Sequence, residues 1–406
     1  MPQPLGDRFS ARRRVATIVT LGLLTGLGPF TIDLYLPTFP SLKTDLGITD
    51  SQVQVTLSAT TLGFALGQLV VGPLSDRLGR RIPLVMAACL HIVSSVLVAI
   101  APNVGFLTTM RVFQGVGAAG GAVVSMAMTR DLFSGRRLVM MLSRLALING
   151  LAPVIAPLMG SWMVTVMNWR GGFWALASYG AVLLVLILSL IVETRPPSER
   201  TAGGLPPLLA AYRRVLGDRV FVGIWLTASC CFAGLFSYIS TSSLLLQETF
   251  GLRETEFGVV FAICSIGVFA GVQLGSRLSA HLGPQKVLIV GTAGMIVAAS
   301  ALLGLDAMRG GHIPLIPAMF AYTLAFGACN PAAQVLALQN HRKDSGVAAS
   351  LMGALNMTLA AVVGPVIGQF ELTSAAPMAI AMLCCATAAV LCLWLIARPR
   401  RIEFTL

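Results

Sequence analysis

The sequence predicts an all-α integral membrane protein of twelve transmembrane helices, arranged as two pseudo-symmetric halves of six. Three observations predict it. Of 406 residues, 56% are hydrophobic and only 11% charged, and the mean hydropathy is +0.83. A soluble domain could not cover that much apolar surface with so few charges. A spanning helix needs about 20 mostly apolar residues, and the chain is a succession of such runs with short polar breaks. Short stretches also recur a little over two hundred residues apart, which marks two related halves. A β-barrel would require segments of alternating polarity, and none is present.

The predicted spans are 15–38, 52–74, 82–101, 105–129, 138–163, 171–192, 220–247, 257–276, 287–305, 313–338, 346–370 and 374–397. With the N-terminus in the cytoplasm, 22 of the 28 Lys and Arg residues fall on the inner side. Lys43, Arg170, Arg253 and Arg309 lie outside, and Arg111 and Arg144 lie within spans. The acids divide almost evenly between the two sides. That Lys/Arg bias is the positive-inside pattern, and it places both termini in the cytoplasm. The same distribution argues against nucleic acid as the reason for the net charge of +12. Arg12, Arg13 and Arg14 precede a run too long for a signal peptide and lacking a small-residue cleavage site, so it reads as an uncleaved first helix.

In chain order, span 1 closes on Thr31-Ile32-Asp33-Leu34-Tyr35-Leu36-Pro37, and Asp33 is the only acid inside any predicted span. A carboxylate in hydrocarbon costs about 2.5–3.5 kcal/mol on insertion scales, which makes it a functional candidate by default. Between spans 2 and 3 lies Gly72-Pro73-Leu74-Ser75-Asp76-Arg77-Leu78-Gly79-Arg80-Arg81. Its plain reading is a tight turn whose arginines follow the charge bias. The sharper reading uses the glycines for close helix approach, Asp76 at a neighbouring helix N-terminus, and the arginines as bridges to an acid of another loop.

Span 4 opens on Met110-Arg111-Val112-Phe113-Gln114-Gly115-Val116-Gly117. Arg111 either snorkels to the surface or meets a partner inside. At 1.5 Å per residue it lies about 9 Å below the outer end of its span, and Asp33 is at a similar depth in span 1. Opposite charges at one depth are expected to meet and offset each other's desolvation. Span 5 carries Gly150, Pro153, Pro157 and Gly160, residues that bend a helix and admit a close neighbour.

Residues 193–219 form the largest polar interruption, a basic cytoplasmic linker that contains Gly203-Gly204 and an amphipathic piece at 208–216. It separates a first half, 1–192, from a second, 220–406. The halves share Leu74-Ser75-Asp76-Arg77-Leu78-Gly79 with Leu278-Ser279-Ala280-His281-Leu282-Gly283, and Pro157-Leu158-Met159-Gly160 with Pro365-Val366-Ile367-Gly368. Internal repeats of this kind characterise secondary transporters, whose site lies near mid-membrane. Predicted spans 7 to 12 contain no charged residue and no histidine, so charge chemistry is confined to the first half.

Other residues carry plainer readings. Arg144 reads as snorkelling inward, and His91 in mid-span 3 as a packed neutral histidine. All eight cysteines fall in spans at no metal-ligand spacing and read as small packing residues. Phe232, Phe236 and Tyr238 in span 7 run at helical spacing and read as packing. Asn330 and Gln334 in span 10, four residues apart on one face, are read the same way.

The loop at 72–81 resembles the signature of the major facilitator superfamily, and Arg111-x-x-Gln114-Gly115-x-Gly117 resembles that superfamily's helix 4 motif. Span 5 is similar to the helix 5 motif of drug:proton antiporters, with Ala156 and Ser161 where glycines are usual. Asp33-Leu34-Tyr35-Leu36-Pro37-Thr38-Phe39-Pro40 is similar to their helix 1 motif. With Thr60-Thr61-Leu62-Gly63-Phe64-Ala65-Leu66-Gly67-Gln68 and Phe232-Ala233-Gly234-Leu235-Phe236-Ser237-Tyr238, the whole length resembles the Bcr/CflA branch, which includes exporters of bicyclomycin and chloramphenicol.

The resemblance implies the major facilitator fold in a bacterial inner membrane, a protein working as a monomer, and no cofactor. It implies proton coupling at Asp33 and Arg111. The cavity, lined in that family by helices 1, 4, 7 and 10, would take small-molecule substrate at Asp33, Tyr35, Gln114, Phe232, Phe236, Tyr238, Asn330 and Gln334. It also implies a cytoplasmic latch of Gly72, Asp76, Arg77, Gly79 and Arg80, in which Asp76 faces the start of helix 11 near Gly346 and Arg77 or Arg80 pairs with Asp131. In the second copy Ala280 and His281 replace the acid and the arginine, which weakens any matching latch.

These residues lead to an exporter of small amphipathic drugs in exchange for protons by alternating access. An exporter or facilitator of a metabolite such as a sugar or siderophore is the nearest alternative. A channel would need a continuous polar lining. An enzyme would need paired acids, clustered His/Cys or a nucleotide loop, and none is present.

Overall fold

The computed structural model describes Gly6 and residues 9–200, 205–308, 310–341 and 344–398. Gly203, Gly204, Arg309 and the chain termini lie outside the described residues. Among those described, every regular element is helical, and twelve segments are long and apolar enough to cross a membrane.

Contacts divide the chain into two units, Met1–Leu46 with Ala59–Ala202, and Gly47–Ser58 with Gly203–Leu406. The first contains α1 (Ala11–Asp33), α2 (Phe39–Leu46), most of α3 (Asp50–Leu78), α4 (Arg81–Ala99), α5 (Val104–Leu132), α6 (Gly135–Val166) and α7 (Trp169–Leu190). The second contains α8 (Leu205–Leu216), α9 (Arg219–Leu244), α10 (Glu254–Leu282), α11 (Pro284–Ala307), α12 (Leu315–Leu338), α13 (Ser345–Ile367) and α14 (Ala376–Leu391). The first turns of α3 group with the second unit.

Most helices begin a little before the starts expected from hydropathy, because polar caps extend their first turns. Asn103 Oδ1 accepts from Phe106 N at the start of α5, Asn168 Oδ1 from Arg170 N before α7, and Asp218 Oδ1 from Val220 N before α9. Each satisfies an N–H that the first turn leaves without a partner. Pro153 and Pro157 sit inside one continuous α6.

The two units repeat one packing scheme. In the first, α1 packs on α5 and α6, and α4 on α5 and α7. In the second, α9 packs on α12 and α13, and α11 on α12 and α14. The repeat extends to backbone conformation: Gly79 has φ +91° and Gly283 φ +85°, each closing the helix before it. Large apolar side chains such as Val185, Val290 and Val297 face outward, as lipid-facing helices require.

Candidate functional site

α1 ends at Asp33, and the chain turns into a short 3-10 segment, Leu36–Thr38, that carries Pro37. The last carbonyls of a helix lack helical donors and form the negative end of its dipole. Arg111 of α5 takes that position. Its Nη1 donates to Thr31 O at 3.2 Å and to Gln114 Oε1 at 2.6 Å. The guanidinium lies 4.5 Å from the centroid of Tyr35 and 5.4 Å from that of Phe173, so two ring faces hold the buried cation. Arg111 is fully buried, and its Nε and Nη2 reach no described acceptor.

Thr31 is gripped from its other side. Its hydroxyl donates to Leu27 O at 2.6 Å and meets His91 Nε2 at 3.0 Å. Because the threonine hydrogen is spent on Leu27, His91 carries its hydrogen on Nε2 and donates. His91 Nδ1 is left without a described partner, against Gly180 of α7. Gln114 Nε2 donates to Ser95 Oγ, which donates to His91 O, so α4 and α5 are tied to the end of α1 through one polar chain.

Asp33 is only 5% exposed and forms no ion pair or hydrogen bond with a described residue. The expected pairing of Asp33 with Arg111 is therefore absent. Equal depth put the two at one level, but depth does not fix the direction around the helix. The carbonyl of Thr31, two residues earlier, and the two rings hold the guanidinium instead. The helix 5 glycine bears on the same point: a β-carbon added at Gly160 would collide with Leu34 O, so α6 packs directly on the backbone following Asp33.

At the arginine-rich end of the first unit, Arg80 Nε donates to Asp131 Oδ2 at 2.9 Å, and its Nη1 reaches Ser75 Oγ at 2.7 Å and Asp76 Oδ1 at 2.8 Å. Arg195 Nη1 pairs with the same Asp76 oxygen, and Thr194 Oγ1 donates to Asp131 at 3.0 Å. Of the two arginines expected at Asp131, the structure seats Arg80 there.

Glu193, which sequence reasoning missed, holds this loop from beneath. Its carboxylate accepts from the backbone N–H groups of Arg80 at 2.7 Å, Arg81 at 3.1 Å and Arg195 at 3.0 Å, an acid at the start of α4. Partial burial raises its carboxyl, and the N–H groups of Arg195, Arg80, Arg81 and Thr194 outweigh that, leaving it below its usual value. Gly79 is required twice over, by its positive φ and because a β-carbon there would lie 2.5 Å from Glu193 Oε2.

The second unit holds a cavity of about 200 Å³ between α9, α12 and α13, lined in part by Phe232, Phe326, Asn330, Gln334 and Asn356. Among the described residues no charged side chain lines it.

The sequence profile of the Major Facilitator Superfamily matches residues 21–368. The chain belongs to that superfamily. An uncharacterised transporter of this type from Bacillus subtilis, YdgK, is 32% identical over 371 residues, covering 91% of this chain and 92% of the relative. A bicyclomycin resistance protein homolog of Haemophilus influenzae is 28% identical over 379 residues, covering 92% and 94%. Among solved structures, the xylose transporter XylE from E. coli, in a partially occluded inward-open conformation, superposes with a TM-score of 0.76 at 15% identity, covering 96% of this chain and 99% of that one. At that identity the likeness is one of fold.

The expected facilitator-type site residues separate into three places. Tyr35 and Gln114 are buried partners of Arg111. Phe232, Asn330 and Gln334 line the cavity of the second unit, with Phe236 stacked behind Phe232 at 6.4 Å. Tyr238 departs from that group: it stacks on Phe261 of α10 at 5.5 Å, because two residues along a helix is more than half a turn. Asn356 on α13 was missed, although the argument that singled out Asn330, a polar amide in an apolar span, applies to it equally. Among the described residues no group of three or more His, Cys, Asp or Glu is placed to hold a metal.

Proposed function

We propose that this transporter exports small amphipathic antibiotics across the bacterial cytoplasmic membrane in exchange for protons, with Asp33 as the proton site. The observation that carries the reading is an aspartate in an apolar span, nearly buried and with no ion pair among the described residues. A carboxylate so placed is stable only when protonated or when a cation or water reaches it, so its protonation follows the conformation around it. Arg111 and His91 hold the turn of α1 on which Asp33 sits, and Gly160 lets α6 bear on the next residue. Small movements of α5 or α6 would therefore change the surroundings of Asp33. The name of the Haemophilus influenzae relative supports an antibiotic as cargo.

In this reading the Arg80–Asp131–Asp76 cluster is a cytoplasmic latch, the termini are cytoplasmic, and segments 1–192 and 220–406 alternate as halves joined by 193–219. Transport by a single chain follows from its internal repeat.

The test is drug uptake into inside-out vesicles driven by a pH gradient. Asp33→Asn, which removes the titrating group and keeps its shape, is expected to reduce gradient-driven uptake to background while the protein still inserts in the membrane. Normal gradient-driven uptake by that variant would overturn the reading.

A further inference from the structure

We infer that Asn330 and Asn356 form a pair of hydrogen-bond donors that selects uncharged ligands carrying acceptor oxygens beside an apolar ring. The inference rests on the export reading and names the class of cargo. Asn330 on α12 and Asn356 on α13 both line the cavity of the second unit.

Each has its oxygen committed. Gln334 Nε2 donates to Asn330 Oδ1 at 2.7 Å, and Ser229 Oγ donates to Asn356 Oδ1 at 2.7 Å. An amide whose oxygen is held presents its two N–H groups on the opposite side. Neither Nδ2 donates to a described residue. In this arrangement both amides offer the cavity their N–H groups.

Phe232 and Phe326, with centroids 6.1 Å apart, supply an apolar wall beside the two amides. Among the described residues no carboxylate or cationic side chain lines the space. A charged ligand would give up its hydration with no countercharge in return, whereas a carbonyl or nitro oxygen exchanges water for an amide N–H. A ligand of similar shape lacking acceptors leaves those N–H groups unmatched, and such a site rejects it.

The experiment uses the full-length protein in lipid nanodiscs. Equilibrium binding is measured with two probes: radiolabelled chloramphenicol, an uncharged ring with amide and nitro oxygens, and tetraphenylphosphonium, an aromatic cation with no acceptor. Wild type is expected to bind chloramphenicol more tightly than the cation. Asn356→Leu and Asn330→Leu are each expected to weaken chloramphenicol binding about tenfold and to leave the cation's affinity unchanged. Asn356→Asp keeps the shape and size of the side chain and carries the test if a leucine variant does not elute as a monodisperse protein. Unchanged chloramphenicol affinity in the folded variants, no chloramphenicol binding by wild type, or tighter binding of the cation would each overturn the inference. Amide-dependent binding in a protein whose transport ignores the pH gradient would sink the proton reading and leave this one standing. Gradient-driven export with amide-independent binding would do the reverse.

Discussion

The two copies of one loop, Leu74–Gly79 and Leu278–Gly283, share a backbone and differ in what holds them. Both end on a glycine in the left-handed region, at φ +91° and +85°. After Gly79 the first copy begins α4 with Arg80 and Arg81, whose backbone N–H groups donate to Glu193. After Gly283 the second begins α11 with Pro284, which has no N–H to satisfy. Ser75 Oγ accepts from Arg80, while Ser279 Oγ is buried with no described partner. The turn is common to both copies, and the acid and arginine stand in one copy only. The interiors differ in the same sense: a buried arginine closes α1 in the first unit, and amides line the cavity of the second.

The largest effect is expected from breaking the turn that both copies share. Gly79→Ala meets two penalties. A left-handed alanine costs roughly 1–2 kcal/mol, and forcing its methyl against Glu193 adds about 1–2 kcal/mol. Gly283→Ala meets the first alone, since the nearest atom to its β-carbon is the end of the Gln285 side chain at 3.2 Å. Thermal unfolding of the detergent-purified variants should show the first loss exceeding the second. Equal losses would mean that Glu193 is not the floor of the first loop.

Removing the charge alone should have an intermediate effect. Arg80→Leu gives up bonds to Asp131, Asp76 and Ser75. Thr194 stays on Asp131 and Arg195 on Asp76, so the loss is expected near 2 kcal/mol rather than the sum of three charged bonds. Pro284 stands at the equivalent place in the second copy, and Pro284→Ala should cost well under 1 kcal/mol, because proline at a first helical position contributes mainly by fixing φ. Unfolding midpoints of the two variants check the contrast.

The span count was legible because the length of an apolar run is set by the bilayer. The ends were less so, since caps such as Asn103 and Asn168 carry helices into polar sequence. The depth of Arg111 followed from the helical rise, but its partner did not. Choosing between the Asp33 carboxylate and the Thr31 carbonyl requires the direction of each around its helix, and that is fixed by packing against Tyr35 and Phe173. Glu193 was hidden for another reason. It stands in a run of polar residues where an acid is unremarkable, and it gains a task only when the end of α7 returns beside the start of α4. Asn356 carried a usable signal that went unread, a lone amide in the middle of an apolar span.

The smallest and most selective way to sharpen the comparison is acid. Glu193 has a folded value below its unfolded value of 4.5. Its contribution to stability is therefore fully present above about pH 4.5 and is lost as the pH falls through the lower folded value. Glu193→Gln keeps one acceptor for the N–H groups of α4 and loses the charge. At neutral pH this should cost about 0.5–1 kcal/mol, held low by the solvent exposure of the carboxylate. The gap in unfolding temperature between wild type and variant should then narrow as the pH is lowered from 5 towards 3, about the range set by that shift. Raising ionic strength at neutral pH should narrow it too, since a partly exposed charge is screened. Gly283→Ala supplies the contrast, because Pro284 leaves its loop no N–H for a carboxylate to accept at that position. Its gap from wild type is expected to stay constant over the same range. A Glu193→Gln gap that ignored both acid and salt would show that the carboxylate acts by shape alone, and that the two loops differ in packing rather than in charge.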